Sequence, residues 1–432
     1  MLRNTISKSI SNRIIPSSLK PQSRIQRKNH NWTDSIFQPN EEQKQLREIL
    51  RKFVQNEVEP QALSHNRTET FNKSLFEKLA TELDILGITI PAEYGGVGLE
   101  PHTISTNVAL VHEELSYSDP AFCLSYLAHS ILFVNNLYMN GNEEQRLKYL
   151  PDACSGKMIC GMGMSEASGG TDVLGMKSNA KYDKGNDTFI LNGSKMWITN
   201  GTIDGKTTGD LFLVYAKTGE NRMDITQFIV EKDMPGFILG QKIQDKCGMR
   251  ASPTAEIVLQ DVVIPSENVV GEVNNATLCM MRNLEIERLA LASMSIGIAR
   301  RCIDEMIQYS TQRTAFNQPL HSFGQIQSYI STSYSKYMAG KAYLYSLAKY
   351  GMNDLSTHGN ALDSDGIKLF CAKMAKDVAD DAIQVMGGYG YVGEYGVERL
   401  WRDAKLLEIG GGTNESHHKN MVRDLRRLDR LV

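Results

Sequence analysis

The apolar pattern of the chain changes period twice, and these changes limit the possible folds more than any other feature. Apolar residues recur with helical spacing from about residue 40 to 155 and again, in longer segments, from 275 to 432. Between 156 and 270 they form short β-branched and aromatic runs. Since no helical segment separates these runs, we expect an antiparallel sheet, as a barrel or a sandwich. The sequence predicts an α+β fold with an N-terminal helical domain, a middle antiparallel β domain and a C-terminal four-helix bundle.

The same periodicities predict individual elements. In the first part, helices are expected at 43–58, ending near Pro60, at 71–86, around 111–115 and at 125–138, with a loop at 91–98. In the middle part, strands are expected at 188–191, 211–215, 226–230 and 256–259, with turns at Asn192-Gly193, Gly219 and Pro235-Gly236. In the last part, helices are expected at 278–309, 325–351 and 364–386, with a short one from Glu415.

Residues 1–33 differ in composition from the rest of the chain. They are rich in basic residues and Ser, and the first acidic residue is Asp34. Leu2, Ile6, Ile10 and Ile14 form a helical apolar stripe among them. This pattern is typical of a mitochondrial transit peptide, and the alternative is a disordered basic tail. We therefore leave this segment out of the fold prediction.

The composition excludes some classes of partner. The 432 residues carry a formal net charge of −3, which gives no electrostatic basis for binding nucleic acid. No apolar run is long enough to span a bilayer, so membrane insertion is not expected. The seven cysteines are odd in number and include no Cys-x-x-Cys pair. We expect them to be buried thiols in a reducing compartment.

Two stretches of the middle part have the composition of a ligand site. The segment 162–172, called the small-residue loop below, is rich in Gly and hydroxyl side chains, so a ligand can lie close to its backbone. Trp197 and Thr199 follow in a predicted strand, where residues two apart share a face. They would offer a planar ligand one flat wall and one hydrogen-bonding group. The alternative is an ordinary Gly-rich turn and a core Trp.

The helix around Glu287 carries the most informative acidic residue. Its helical face is otherwise apolar, formed by Met280, Leu284, Leu291 and Met294. A carboxylate on a buried face must be paired in the tertiary structure or have its pKa raised, and a raised pKa suits a general base. The alternative is a Glu paired across the bundle.

The neighbouring acidic residue is expected to be different. Glu285 points about 160° away from Glu287 by helix geometry. Arg282 and Arg288 lie three residues from it on either side, so we expect an exposed ion pair.

Two further motifs suggest ligand sites that their context does not support. Gly388, Gly390 and Gly393 spell a Gly-x-Gly-x-x-Gly motif, but the preceding run is helical, and a dinucleotide fold needs a strand there. We expect a turn after a bundle helix. His417 and His418 are adjacent, so they diverge on a helix and cannot chelate one metal ion; no metal site is expected.

Four motifs in order resemble the acyl-CoA dehydrogenase family. They read MSEASGGTD, WITNG, QRTAF and WRDAKLLEIGGGTNE, and the resemblance runs from about residue 40 to the C-terminus. It implies domains at 40–155, 156–270 and 275–432, FAD as cofactor, an acyl-CoA substrate, electron-transfer flavoprotein as electron acceptor, a homotetramer and a place in the mitochondrial matrix.

The resemblance also implies roles for individual residues. Trp197 and Thr199 would pack against and hydrogen-bond the isoalloxazine ring, and Thr171 would meet the CoA phosphates. The implied cofactor contacts are Met162, Gly163, Met164, Ser165, Thr171, Trp197, Ile198, Thr199, Thr413, Asn414 and Glu415, and, from a neighbouring subunit, Arg313, Phe316, Gln384, Val385, Met386, Gly387 and Gly388. The implied substrate contacts are Thr171, Leu284, Glu285, Ile286, Arg288, Gly410, Gly411 and Gly412.

The position of the base distinguishes groups within the family. Many members carry it in a Tyr-Glu-Gly-Thr segment, where this chain has Gly410-Gly411-Gly412-Thr413. A smaller group carries it at the position of Glu287, and this includes the isovaleryl-CoA and long-chain enzymes. The implied reaction takes isovaleryl-CoA to 3-methylcrotonyl-CoA in leucine catabolism. Glu287 would act as base, its backbone N–H would polarise the thioester carbonyl, and Gly410 would leave room for a branched chain.

Some residues depart from the family pattern. Gly324, with Gln325 next to it, stands where a Gln commonly contacts the adenosine, and Asn317 replaces a Gly. Ala167 and Ser168 also differ from the usual small-residue loop. Three alternatives remain open: another short-branched or long-chain substrate, an acyl-CoA oxidase, and a non-catalytic flavin- or CoA-binding scaffold.

Overall fold

The computed structural model describes residue 37, residues 39–351 and residues 361–427. The predicted transit segment, residues 1–33, lies outside the described residues. The described part begins with helices, continues with a β-sheet and ends with long helices, which confirms the α+β prediction.

The first helix, α1 (Glu41–Phe53), has strong end signals. Asn40 caps it in a reciprocal pair with Gln43, and acidic residues lie in the first turn and basic residues in the last. The prediction that Pro60 ends this helix is wrong. A π-helical turn (Val54–Val58) joins α1 to α2 (Glu59–Thr68). Pro60 then lies in the first turn of α2, where no backbone N–H is needed.

The other N-terminal helices are close to their predictions but differ in extent. The second predicted helix is shorter than expected, and the fourth is interrupted by a π-helical segment. Their bounds are α3 (Lys73–Thr81), α4 (Pro101–Ser118), α5 (Pro120–Leu127), the π-helical segment Ala128–Asn135, α6 (Asn136–Asn140) and α7 (Glu143–Cys154). Asp119 separates α4 from α5 and caps α5 through two backbone N–H groups.

The middle of the chain forms one eight-stranded sheet in the order β6-β7-β3-β2-β4-β5-β8, with β1 beside β4. The strands are β1 (Cys160–Gly163), β2 (Asn179–Asp183), β3 (Thr188–Thr199), β4 (Leu211–Lys217), β5 (Ile225–Glu231), β6 (Phe237–Lys242), β7 (Thr254–Pro265) and β8 (Val269–Val270). Most pairs are antiparallel as predicted, but β4 runs parallel to β1 and β2. The sequence prediction missed β1, β2, β6 and β8, which are short or carry polar residues.

Strand β4 is buried on both faces, which explains its uninterrupted apolar sequence. Phe212 and Val214 pack inside the sheet domain, against β3, β5 and β7. Leu213 faces the opposite way, towards the N-terminal helices. Burying a side chain of this size stabilises the fold by roughly 1.5–3 kcal/mol. One face of β4 therefore belongs to the core of the sheet domain, and the other face packs against the N-terminal helices.

The prediction of a turn at Asn192-Gly193 is wrong, because both residues lie within β3. The pairing register between β3 and β7 shifts at this point, as in a β-bulge. Gly193 has φ +140°, and an added Cβ atom would come within 2.3 Å of Ser178 Oγ. The glycine is needed for a close approach between neighbouring strands rather than for a chain reversal.

The last part of the chain is a helical bundle built around α8 (Ala276–Gln312). Every residue of α8 from 285 to 300 is buried, because α4, α9 and α10 all pack against this helix. The remaining elements are the hairpin β9 (Thr314–Ala315) and β10 (Gln318–Pro319), and the helices α9 (Gly324–Ser346), α10 (Ala361–Met386), α11 (Gly388–Tyr391), α12 (Val397–Leu407) and α13 (Asn414–Leu425). Helix α12 was not predicted, although its apolar residues face the bundle.

A buried charge network joins α8 to the N-terminal helices. Arg300 donates to Glu113 and Glu114 of α4, and Lys341 of α9 donates to Glu113 at 3.1 Å. All of these side chains are buried. Each charge therefore has a partner, as burial requires.

Two predictions from composition compare as follows with the structure. Six of the cysteines are buried, but Cys247 is exposed, so the expectation of uniformly buried thiols is wrong at that position. Among the residues that the structure describes, no helix is both long and apolar enough to cross a bilayer.

Candidate active site

Glu287 lies on the buried central turns of α8. The side chain is almost wholly withdrawn from solvent, with 7% of its surface exposed. Burial raises its pKa to about 7, while the charges of Arg288 and Lys368 act in the opposite direction. A carboxylate with a pKa near neutrality is suited to take a proton and to release it again.

Glu285 is also buried, so the expectation that it is exposed is wrong. The reason is that α8 is covered on all sides along this stretch. Arg288 has its contacts on α10. Its guanidinium lies 3.3 Å from Asp365 of α10, and it donates to Ser364 at 3.4 Å.

The segment Gly410–Gly412, called the glycine loop below, lies against Glu287. A Cβ atom built on Gly411 would be 3.3 Å from Glu287 Oε1 and 2.2 Å from Leu291 Cδ1. Gly411 and Gly412 have φ values of +65° and +94°, which side chains rarely adopt. The absence of side chains in the loop thus leaves space beside the carboxylate.

Buried polar groups hold the glycine loop from below. Lys368 of α10 donates to the Gly412 carbonyl at 2.6 Å, and His417 Nε2 of α13 contacts the same oxygen at 3.0 Å. Burial lowers the pKa of Lys368 to about 8, while the carboxylate of Glu287 raises it. The sequence prediction gave these two residues no role.

Apolar residues from the sheet and from α8 meet beside Glu287. Met162 and Met164 of the small-residue loop share a cluster with Met280 and Leu284 of α8 and with Tyr215 of β4. The Tyr215 hydroxyl accepts from Asn136 at 3.2 Å. The structure therefore brings the small-residue loop and the predicted base helix together, as one wall of a site.

A buried ion pair, which the sequence prediction missed, positions the small-residue loop. Lys195 of β3 donates to Glu166 Oε1 at 2.9 Å and to the Met164 carbonyl at 3.2 Å. Glu166 also accepts from the backbone N–H groups of Lys177 and Ser178. Burial would raise the pKa of Glu166, but Lys195 and these N–H groups hold it at about 2. The sequence does give an indication of this pair, because Lys195 is a charged residue directly before an apolar segment of a strand.

Trp197 is exposed although it lies in a strand, with 53% of its surface accessible. The pairing of β3 with β7 is irregular between Lys195 and Ile198, and Trp197 has φ +61°. Ile198 is buried in the sheet core, so only its backbone can contact a ligand. Thr199 is half-buried. The burial pattern agrees with Trp197 and Thr199 sharing a face, despite the bulge.

The elements around Trp197 fit the flavin implied by the resemblance. An exposed indole in a constrained conformation offers a flat wall, and Met164 and Ser165 next to it in space are half-buried. Met196 N–H bonds to the Ser165 carbonyl at 2.9 Å, which joins the two segments directly. On a separate element, at the start of α13, Asn414 Oδ1 is buried without a hydrogen-bond partner in the described part of the chain. An unmet acceptor of this kind is consistent with a polar ligand.

Two segments expected to reach a neighbouring subunit lie together at one end of the bundle. Arg313, after α8, lies over the Tyr389 ring at 5.8 Å. Phe316 is 89% exposed at the tip of the β9–β10 hairpin, where Asn317 adopts φ +63°, a conformation that Asn tolerates better than most residues. Gln384, in the last turn of α10, and Gly387 and Gly388, just beyond it, are exposed, while Val385 and Met386 are buried. The preceding element is a helix, as predicted, but the expected turn is only partly present: Gly388 and Gly390 lie in the short helix α11, and Gly393 lies in the turn that follows it.

The remaining predicted contacts are placed as follows. Thr171 is exposed in the small-residue loop, next to an ion pair between Asp172 and Arg222. Thr413 caps α13 through Ser416 N–H, and Glu415 lies in its first turn. Gly163 lies in β1 against Lys195, and Ile286 is buried in α8. Over the described residues there is no group of three or more His, Cys, Asp or Glu side chains that could hold a metal ion.

One residue cannot play its predicted role. The backbone N–H of Glu287 lies inside a continuous helix, where it bonds four residues back. It is therefore not free to polarise a thioester, and this expectation is wrong. The N–H of Gly411 lies outside any helix beside the carboxylate, and it makes no backbone hydrogen bond within the described residues.

A sheet lies between two helical parts, the second of which carries a buried carboxylate of raised pKa, while the sheet presents an exposed indole. This is the arrangement expected of a flavin-dependent oxidoreductase of the acyl-CoA dehydrogenase type. Three family models match the chain. They are the acyl-CoA dehydrogenase N-terminal domain at residues 40–157, the middle domain at 161–262 and the C-terminal domain at 277–425. The chain belongs to the acyl-CoA dehydrogenase family, whose members depend on FAD.

Individual relatives agree with this assignment. The chain is 42% identical over 387 residues to the mitochondrial isovaleryl-CoA dehydrogenase of Pongo abelii, covering 88% of each chain. It is 39% identical over 386 residues to the mitochondrial 2-methylacyl-CoA dehydrogenase of Solanum tuberosum, covering 89% of this chain and 90% of that one. A solved acyl-CoA dehydrogenase from Bacillus anthracis, complexed with FAD, superposes with a TM-score of 0.83 at 29% identity, covering 91% of this chain and 68% of that one.

Proposed function

We propose that this acyl-CoA dehydrogenase acts on isovaleryl-CoA and produces 3-methylcrotonyl-CoA. The observation that supports this most directly is the glycine loop beside Glu287. Gly410 places no side chain where a branched acyl chain would lie. The similarity to isovaleryl-CoA dehydrogenases at about 40% identity points the same way.

Glu287 takes the proton from the α-carbon of the thioester. Its burial raises the pKa enough for the carboxyl to hold that proton, and the deprotonated form is still accessible near neutral pH. FAD, when bound, supplies the acceptor for the hydride that leaves the β-carbon. One proton and one hydride thus leave the substrate, and the double bond forms between the α- and β-carbons.

The thioester carbonyl is polarised by the amide of Gly411. This amide replaces that of Glu287, which is engaged within α8. The developing negative charge on the carbonyl oxygen would then face a donor that is already fixed in place. The apolar cluster of Met162, Met164 and Leu284 excludes water from the same space.

The wider setting is inferred from the family. We propose that Trp197, Thr199 and the small-residue loop bind the flavin, that Thr171 binds the CoA phosphates, and that the Arg313 end of the bundle completes the cofactor site of a neighbouring subunit. We further propose a homotetramer in the mitochondrial matrix, acting in leucine catabolism, with electron-transfer flavoprotein as the electron acceptor.

A second candidate substrate is a 2-methyl-branched acyl-CoA. The relative named a 2-methylacyl-CoA dehydrogenase is almost as similar to this chain as the isovaleryl enzymes. The two substrates differ in the carbon that carries the branch. A 2-methyl group lies on the carbon that loses its proton to Glu287, whereas the isovaleryl branch lies one carbon further away.

An anaerobic titration tests these proposals together. The purified flavoprotein is mixed with isovaleryl-, 2-methylbutyryl-, butyryl- and palmitoyl-CoA while the flavin absorbance is recorded. Fastest bleaching by isovaleryl-CoA is expected, and faster bleaching by 2-methylbutyryl-CoA would assign the second candidate. Peroxide release in air would indicate an oxidase, and no bleaching by any substrate would indicate a scaffold.

A further inference from the structure

The carbonyl oxygen of Gly412 is held from two different helices. Lys368 of α10 donates to it at 2.6 Å, and His417 Nε2 of α13 lies 3.0 Å away. Because a carbonyl can only accept, Nε2 is the donor in the second bond. Lys368 and His417 are both buried, so neither bond competes freely with water. Two buried donors on one loop carbonyl form an unusually firm anchor.

The same anchor is connected to the helix that carries Glu287. His417 Nδ1 contacts the carboxylate of Asp365 of α10, which can only accept. The ring therefore makes both bonds when it is protonated; burial lowers the pKa of His417, and the bond to Asp365 raises it. Asp365 also lies 3.3 Å from the guanidinium of Arg288, the residue that follows Glu287 in α8. A continuous polar chain therefore runs from α8 through Asp365 and His417 to the glycine loop.

The glycine loop needs such an anchor because its own sequence does not fix it. Successive glycines leave the backbone free to adopt many conformations. Backbone bonds fix only the ends of the loop, from Gly410 N–H to Leu406 at 2.7 Å and from Asn414 N–H to Glu408 at 3.1 Å. Between these ends, the side chains of Lys368 and His417 bind the carbonyl of Gly412. Gly412 is next to Gly411, which lies beside the carboxylate of Glu287.

We propose that Lys368 and His417 are positioning residues for the reaction, which hold the Gly412 carbonyl and so fix the glycine loop beside Glu287. This inference rests on the proposed function of Glu287 as the base. Loss of either donor lets the loop move relative to the carboxylate. The space for the acyl branch and the position of the Gly411 amide then change together.

The charge of Lys368 adds a second effect that can be measured. The charged and titratable groups that act on or respond to Glu287 are Arg288 of α8, Lys368 of α10 and Tyr215 of β4. Lys368 is itself influenced by Glu287, Arg288, Glu408 and Asp365. As a cation, Lys368 lowers the pKa of Glu287. Removing the charge of Lys368 should therefore raise the pKa of Glu287. In a plot of the flavin-reduction rate against pH, the acidic limb, where the rate rises with pH, then moves to higher pH.

Three substitutions separate these effects. Lys368→Met keeps the length of the side chain and removes the donor and the charge. His417→Gln keeps a donor at the position of Nε2, towards Gly412, whereas His417→Asn keeps one only at the position of Nδ1, towards Asp365. The Gln and Asn variants are matched in polarity and differ in which partner they retain, so they still test the proposal if Lys368→Met fails to fold.

Lys341→Met is the control for the loss of a buried lysine. Lys341 is also wholly buried in the bundle, but it bonds to Glu113, on the side of α8 that faces α4. Flavin content and melting temperature are measured for all variants. The specific readouts are amide hydrogen exchange of residues 410–413, flavin reduction by isovaleryl- and butyryl-CoA, and the pH profile of that reduction.

We expect loop amides to exchange on the order of tenfold faster in Lys368→Met and His417→Asn, but not in His417→Gln or Lys341→Met. Flavin reduction should fall by up to ~10²-fold in the same two variants, with a changed preference between the two substrates. Only Lys368→Met should shift the acidic limb upwards. Unchanged loop exchange and substrate preference in both variants would overturn the proposal. If wild-type protein is bleached by no acyl-CoA, the proposed function fails, and the loop exchange still reports whether these residues hold the loop.

Discussion

Glu287 lies on α8 and Gly411 lies in the glycine loop, but the two residues are close together in the structure. A Cβ atom on Gly411 would be 3.3 Å from Glu287 Oε1. The resemblance had implied that the two positions serve the same substrate carbon in different groups of the family. Their proximity agrees with that idea, and it means that a carboxylate at either position would enter the same small space.

The first prediction concerns pH. Because burial raises the pKa of Glu287 to about 7, the rate of flavin reduction should rise with pH through this region and level off above it. The reason is that only the deprotonated carboxylate can accept the α-proton. The measurement is the apparent second-order rate constant of flavin reduction by isovaleryl-CoA between pH 5.5 and 9.

The contribution of Glu287 to the free energy of unfolding should fall as pH rises, whereas the rate rises. A carboxyl whose folded pKa is raised stabilises the fold while it is protonated, and this contribution is lost as pH rises from the unfolded pKa towards about 7. Glu287→Gln should therefore be more stable than wild type at pH 8, by up to about 3 kcal/mol, since each tenfold change in proton affinity is worth about 1.4 kcal/mol. At pH 5 the difference should be smaller. An equal difference at both pH values would show that folding does not raise the pKa of Glu287.

The fold was largely predictable from the sequence, because its main signals are periodic. The long helices α8, α9 and α10 were predictable because their apolar residues recur at helical spacing. The strands β4 and β5 were predictable because they are short runs of apolar residues, which are buried in the structure. The errors occur where one residue type can serve two structures. Pro60 can end a helix or begin one, and Asn192-Gly193 can form a turn or a bulge. Tertiary packing decides between these alternatives, and it is not visible locally.

The candidate site was predictable only in part. Glu287 stands out because a charge interrupts an apolar stripe, and that signal is local. Lys195, Lys368 and His417 act through partners 29 or more residues away in the chain or on other elements, so no spacing rule indicates them. Glu285 was misjudged for the same reason, since nothing in α8 shows that its other face is also covered.

The second prediction concerns the width of the acyl pocket. A Cβ atom on Gly410 would meet its nearest neighbour, the Leu406 carbonyl, at 3.5 Å, an ordinary contact. Gly410→Tyr is therefore compatible with the backbone, and its ring should occupy the space of a branched chain at a cost of about 1–3 kcal/mol. Flavin reduction by isovaleryl-CoA should fall more than reduction by butyryl-CoA. Gly410→Ala is the control, and equal losses on both substrates would refute a steric role.

The third prediction concerns the buried pair beneath the small-residue loop. Lys195→Met leaves Glu166 buried without its cation, which typically costs about 3–5 kcal/mol. It also removes the bond to the Met164 carbonyl. The variant should melt at a lower temperature and retain less FAD, measured from flavin absorbance per mole of protein. Adding Glu166→Gln should restore part of the stability without restoring full FAD content, and full recovery of both would show that the pair has no role in positioning the loop.

The fourth prediction concerns the end of the bundle near Tyr389. Arg313→Ala should release FAD and weaken the oligomer, because a cofactor bound between subunits stabilises their association. Gel filtration with detection at the flavin wavelength measures both effects. Arg427→Ala, at an exposed position beyond α13, is the control. Full retention of flavin and of oligomer size in Arg313→Ala would contradict a shared site.

The last prediction moves the base from one element to the other. Glu287→Gln should still bind isovaleryl-CoA but lose at least ~10²-fold in flavin reduction, the effect expected for a general base. If this variant bleaches at the wild-type rate, Glu287 is not the base. Adding Gly411→Glu returns a carboxylate to the same space, so part of the activity should return.

Two features of Gly411 limit that recovery. Its φ of +65° strains any side chain by about 1–3 kcal/mol, and an added Cβ atom would come within 2.2 Å of Leu291 Cδ1. Leu291→Ala removes this second obstacle, so the triple variant should recover more activity than the double variant. Recovery should favour butyryl-CoA, because the new carboxylate shares its space with the branched chain. Rapid mixing under nitrogen with both substrates measures these rates. A triple variant that binds FAD and substrate but gains nothing over Glu287→Gln would show that a carboxylate at residue 411 cannot reach the α-carbon.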